Sequence, residues 1–118
     1  MNTNEIKKVS KPWGHEIWWA LTDKYAGKIL HVKKGESLSY QYHEIKDETI
    51  FLYNGRMTLQ IEEAGKEIET MTLNPGESVR ITPYTKHRMI AEEDCDVFEV
   101  STPEVHDVVR LEDRYGRV

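Results

Sequence analysis

The stretch GESLSYQYHEIKDETIFLYNG, Gly35 to Gly55, decides the fold. Within it Leu38, Tyr40 and Tyr42 alternate with Ser39, Gln41 and His43, the period-two pattern of a strand with one apolar and one polar face. Glu48 to Tyr53 (ETIFLY) is rich in β-formers, and the Asn54-Gly55 that follows is a strong hairpin turn. Gln41 and His43 share a face, Glu48 follows on the next strand, and His87 lies far along the chain in ITPYTKH. An amide, two imidazoles and a carboxylate can converge only if distant strands face each other, which a small β-barrel arranges.

The rest of the chain extends the same pattern outward. His15 to Leu21, Tyr25 to Val32, Met57 to Glu62, Ile68 to Leu73, Ser78 to Thr82, Arg88 to Ala91 and Asp96 to Ser101 all read as strands. Turn residues separate them: Lys11-Pro12-Trp13-Gly14, Lys34-Gly35-Glu36, Ala64-Gly65-Lys66 and Asn74-Pro75-Gly76. About eight to ten short strands with turns every ~8–12 residues predict an all-β sandwich or barrel. Residues 1–9 are polar and are expected to be a loose arm. Asp107 to Tyr115 is expected to form a short helical or irregular cap.

Length and composition bound the function classes. A chain of 118 residues predicts one domain, 1–118, with a modest core. Apolar content of 38% and charged content of 31% fit a soluble globular protein. The net charge of −5 argues against a general nucleic-acid binder. The single cysteine, Cys95, excludes an internal disulfide and a cysteine-rich metal site, and the acidic EEDCD around it disfavours a thiolate. No apolar run reaches membrane-spanning or signal-peptide length, so a cytoplasmic protein without membrane partners is expected.

Imidazole nitrogen and carboxylate oxygen are standard ligands of first-row divalent metals, and a glutamine carbonyl oxygen can serve as a fourth. The set Gln41, His43, Glu48 and His87 suits zinc, iron, manganese, cobalt or nickel without choosing among them. The bland alternative for any one of these residues is a polar group on a wet sheet face.

Spacing favours the metal. Gly35, five residues, Gln41, one residue, His43, four residues, Glu48, six residues, Gly55 fits the first motif of the cupin superfamily, with Gln41 in place of its first histidine. Gly76, Thr82, Pro83, Tyr84 and His87 keep the frame of the second motif, with Thr82 and Tyr84 in place of its proline and glycine. The chain therefore resembles the cupins. That resemblance implies a double-stranded β-helix, or jelly-roll barrel, with metal ligands at Gln41, His43, Glu48 and His87.

Within the cupins the chain is most similar to type II mannose-6-phosphate isomerases, including the C-terminal domain of bifunctional mannose-1-phosphate guanylyltransferases. Lys11-Pro12-Trp13-Gly14 with Glu16, Ser39 to His43, Thr85 to Arg88 and the closing run DVVRLEDRYGR, Asp107 to Arg117, carry the likeness. Where that family writes QMHHHRAEHW, this chain writes QYHEIKDETI, so Lys46 replaces an arginine and lacks its bidentate fork.

The resemblance implies a metal-dependent aldose–ketose isomerase of a sugar phosphate. Lys46 and Arg110 would meet the anionic group, and Tyr84 would present a phenol to the pocket. Arg88 is expected on the face opposite His87. Glu48 could double as the base that an enediol mechanism needs only if loosely coordinated, and Glu44, Lys46, Tyr84 and Glu99 are the other choices. The alternative is a non-catalytic metal-binding cupin that holds a sugar or another small ligand. Trp13, Trp18 and Trp19 read as core or dimer packing, and His15, His31 and His106 lack ligand spacing. An edge strand as apolar as HEIWWAL predicts a homodimer.

Overall fold

The computed structural model describes residues 5–118, and the part of the expected arm at 1–4 lies outside them. The described residues form strands β1 (Lys7–Lys11), β2 (Gly14–Leu21), β3 (Ala26–Val32), β4 (Tyr40–Tyr42), β5 (Glu48–Asn54), β6 (Met57–Glu62), β7 (Glu69–Leu73), β8 (Ser78–Ile81), β9 (Lys86–Ala91), β10 (Cys95–Ser101) and β11 (Val109–Glu112). One sheet has the order β1-β2-β3-β10-β5-β8 and the other β11-β4-β9-β6-β7, with every strand pair antiparallel. This is the all-β architecture that the alternation predicts, in the jelly-roll form that the resemblance implies.

Both ends of the chain depart from expectation. Lys7–Lys11 is not a loose arm but a strand paired residue for residue with Trp18 to Gly14. Its polar composition hid a strand whose pairing is made by backbone hydrogen bonds. The tail is likewise not helical: Val109 pairs with Tyr42 and Arg110 with Gln41. β1 also covers β2, so HEIWWAL is an inner strand of its sheet rather than an edge.

The inner faces divide into an apolar and a polar end. Cross-strand partners Leu30, Val97 and Leu52 lie in one row and, with Val32, Met57, Leu59, Ile81, Met89 and Trp13, make the buried core. One step along the strands, the inner row reads Trp18, Lys28, Glu99, Ile50, and the interior turns polar. Asn54-Gly55 is a tight turn but not the expected hairpin: it carries the chain from β5 in one sheet to β6 in the other, where β6 pairs with β7 and β9. Gly55 has φ +91°, and a Cβ there would stand 2.3 Å from the Asp94 carbonyl oxygen, so only glycine fits this turn.

The outer face of the six-stranded sheet is apolar in the same orderly way. Ile17, Ile29, Phe98 and Phe51 are successive register partners across four strands. Tyr53 stacks on Phe98 with ring centroids 5.1 Å apart, and Trp19 lies over Gly27. Trp13 is core and Trp19 surface, whereas Trp18 faces inward, its ring flanked by Lys7 and Lys28.

Candidate metal centre

Gln41 and His87 are direct register partners on β4 and β9, so their side chains stand side by side on one face. His43 follows at the end of β4, and Glu48 opens β5. The structure brings the ligand atoms of His43, Glu48 and His87 together within 4.8 Å of one another, all three residues buried. His43 Nε2 is 3.4 Å from Glu48 Oε2, and His87 Nε2 is 3.6 Å from Glu48 Oε1.

Hydrogen bonding fixes both tautomers. His43 Nδ1 is 2.6 Å from the Asp107 carbonyl oxygen and His87 Nδ1 is 2.9 Å from that of Thr85. A carbonyl only accepts, so both Nδ1 atoms carry the proton and both Nε2 atoms present lone pairs. Neither Nε2 has a hydrogen-bond partner among the described residues. Two bare nitrogen lone pairs aimed toward a buried carboxylate are poor neighbours in a protein interior unless a cation lies among them. The donor set therefore fits a divalent metal. Burial holds His87 below the ordinary imidazole range, keeping it in the neutral, ligating form. Burial opposes ionisation of Glu48, but the Lys46 ammonium 2.8 Å away works against it, and the carboxyl is held well below the usual range. Gln41 lines the same cavity, its Oε1 accepting a 2.6 Å hydrogen bond from the Ser39 hydroxyl.

The cavity beside this cluster has a volume of about 340 Å³. Gln41, His43, Lys46, Glu48 and Arg110 all line it. Lys46 is buried, and its ammonium sits 2.8 Å from Glu48 Oε2 and 3.0 Å from Glu99 Oε2. Burial lowers its proton affinity, and the two carboxylates overcome this and raise it. Its charge is thus committed to the protein. Burial pushes the Glu99 carboxyl up. Tyr84 lies outside the cavity: it is exposed, stacked on Tyr42 at 5.8 Å, with its hydroxyl 3.5 Å from Glu44. Its φ of +65° shows the loop keeping the left-handed turn that a glycine would favour. Arg88 faces away from the cavity, bonding Glu112 at 2.7 Å beside the Tyr40 ring, as alternation predicts. Cys95 is buried, and burial keeps its thiol protonated.

Several cavity residues escaped the sequence reading. Lys7, Lys11, Lys28 and Arg117 join Lys46 and Arg110 as lining cations, against Glu16, Glu48, Glu99 and Asp107. Lys28 pairs with Glu16 at 3.6 Å and Arg117 with Asp113 at 2.7 Å. Arg110 Nε is buried without a hydrogen-bond partner among the described residues. Burial depresses Lys11, and Arg110, Lys28 and Arg117 crowd it further. The signal for Lys11 and Arg117 was present, since both lie in the runs that carry the isomerase resemblance; their inward placement needed the pairing of β1 and β11.

The comparisons with known proteins agree with this fold. Mannose-1-phosphate guanylyltransferase ManC of Salmonella typhimurium is 33% identical over 117 residues, covering 95% of this chain and 23% of its own. The chain thus spans about a quarter of that relative. The capsular polysaccharide assembling protein CapF of Staphylococcus aureus superposes with a TM-score of 0.75 at 17% identity, over 94% of this chain and 35% of its own. Oxalate decarboxylase of Bacillus subtilis gives 0.80 at 13% identity, over 94% and 33%. The cupin domain model matches residues 28–101, which hold the whole His43, Glu48, His87 cluster, and the chain belongs to the cupin family.

Proposed function

We propose that this cupin binds a divalent metal through Gln41, His43, Glu48 and His87 and isomerises a small anionic sugar derivative, a sugar phosphate, between aldose and ketose. The observation that carries the metal is the pair of partnerless Nε2 atoms facing Glu48. The likeness to a mannose-1-phosphate guanylyltransferase supports a sugar-related ligand. A cavity lined by more cations than carboxylates, in a chain of net charge −5, supports an anionic one. A bound zinc, manganese, iron, cobalt or nickel ion would supply polarisation of the substrate carbonyl. Arg110 and Lys11 line the cavity and would hold the anionic group, since Lys46 is held by Glu48 and Glu99. Glu99, a cavity-lining carboxylate outside the four metal donors, would act as the base that moves a proton between adjacent carbons.

The test is solvent exchange. Metal-loaded protein incubated with hexose phosphates in deuterated water should place deuterium on the carbon next to the carbonyl. A charge-assisted contact contributes about 1.5–3 kcal/mol, so Arg110→Ala should weaken sugar-phosphate binding by roughly ten- to a hundredfold and leave metal content unchanged. No exchange on any hexose phosphate removes the isomerase reading. Calorimetric binding of the same sugars without exchange would instead favour a non-catalytic metal-binding cupin.

The proposal includes a homodimer. Along the outer row two aliphatic residues, Ile17 and Ile29, precede two aromatic ones, Phe98 and Phe51. A two-fold axis through the middle of that row would set each aliphatic residue against an aromatic one of a second copy. Light scattering at micromolar concentration should give twice the chain mass, and Phe98→Glu should halve it. A wild-type species of single chain mass would remove the dimer.

A further inference from the structure

The loop between β4 and β5 carries His43 at one end and Glu48 at the other, so its shape sets their separation. Thr102 and Arg80 bond its Asp47 and the Tyr84 amide bonds the His43 carbonyl, but one residue outside the loop makes more hydrogen bonds to it than any of these. Asp107 accepts hydrogen bonds from three successive loop amides: Glu44 N to Oδ1 at 3.2 Å, Ile45 N to Oδ2 at 2.7 Å and Lys46 N to Oδ2 at 2.9 Å. The same residue's backbone carbonyl accepts the His43 Nδ1 proton at 2.6 Å.

We propose that Asp107 is the positioning residue of the metal centre: its carboxylate fixes the His43–Glu48 loop while its carbonyl selects the His43 tautomer that points Nε2 at the site. The inference rests on the metal reading above. Its physical basis is that a ligating imidazole is oriented by the partner of its other nitrogen. Here that partner is tied by its own side chain to the loop it orients, so neither can shift alone. Asp107 is anchored in turn by the strand after it, where Val109 and Arg110 pair with Tyr42 and Gln41. The tail segment is therefore part of the metal centre rather than a cover over it. The carboxylate suits the task better than an amide would, because both its oxygens only accept and all three partners donate. The three amides hold the Asp107 carboxyl below its usual range against the opposing effect of burial.

The test uses the full chain with Asp107→Ala and Asp107→Asn. In metal-free wild type, long-range proton–nitrogen spectra of the histidine rings should show His43 protonated at Nδ1 and bare at Nε2. In Asp107→Ala the two tautomers should mix, and zinc affinity measured against a chromophoric chelator should fall about ten- to a hundredfold. Asp107→Asn keeps the volume and one acceptor, so it should retain the tautomer and lose zinc affinity only several-fold. Wild-type zinc affinity in Asp107→Asn, or wild-type affinity with an unchanged tautomer in Asp107→Ala, overturns the proposal. Should the wild-type chain bind none of zinc, cobalt, manganese, iron or nickel, the metal reading falls, and the tautomer spectra of the metal-free chains still decide the part played by Asp107.

Discussion

Replacing His43 and His87 together with alanine should remove the bound metal altogether. Wild-type protein dialysed against zinc, cobalt or manganese is expected to keep about one ion per chain, as a four-donor site would hold, and the double variant close to none. The size of the effect follows from the donor count: the change deletes both nitrogen ligands and leaves Glu48 with the neutral Gln41. A second readout separates binding from simple damage. Each buried, partnerless Nε2 costs the metal-free fold on the order of 1–3 kcal/mol, and the metal relieves that cost. Zinc should therefore raise the melting temperature of wild type and leave that of the double variant unmoved, while circular dichroism shows the same strand content in both. Gln41→Ala should act in the same direction but more weakly, because its amide is neutral and already engaged by Ser39. If the double variant retains zinc at the wild-type ratio, the site lies elsewhere.

Lys46→Met should cost the fold more than it costs ligand binding. The sequence and its resemblance give Lys46 the task of meeting a substrate's charge. In the structure its ammonium neutralises two carboxylates, Glu48 and Glu99, each almost wholly buried. Methionine fills the same space without the charge and leaves both acids without their partner. Removing one member of a buried ion pair costs about 3–5 kcal/mol, which for a domain of this size is a fall of roughly 10–20 °C in melting temperature. The loss should shrink in saturating zinc, since a metal on Glu48 replaces part of the missing positive charge. Denaturant titration with and without zinc measures both quantities. A variant as stable as wild type in the absence of metal would show that Glu48 and Glu99 do not depend on Lys46.

These two expectations differ in how much of each the sequence carried. The alternation through Leu38–His43, the Asn54-Gly55 turn and the regular spacing of turn residues determined the all-β barrel, because side chains alternate along any strand whatever its partner. Motif spacing likewise singled out Gln41, His43, Glu48 and His87, and the structure sets three of them within reach of a common ion, with Gln41 beside His87. Tertiary structure alone decided the rest. Lys7–Lys11 and Val109–Glu112 are strands because sheet edges supply hydrogen bonds to their backbones, and no pattern of side chains announces that. Those two pairings bring Lys11, Arg110 and Arg117 to the cavity and Asp107 to the ligand loop. The sequence shows that Lys46 is a cation two residues from Glu48. That its charge is spent inside the protein depends on Glu99, which lies 53 residues away and reaches Lys46 only because β10 pairs with β5. Local pattern fixes which way a side chain points along its own strand; what it meets there is set by the register of strands distant in the chain.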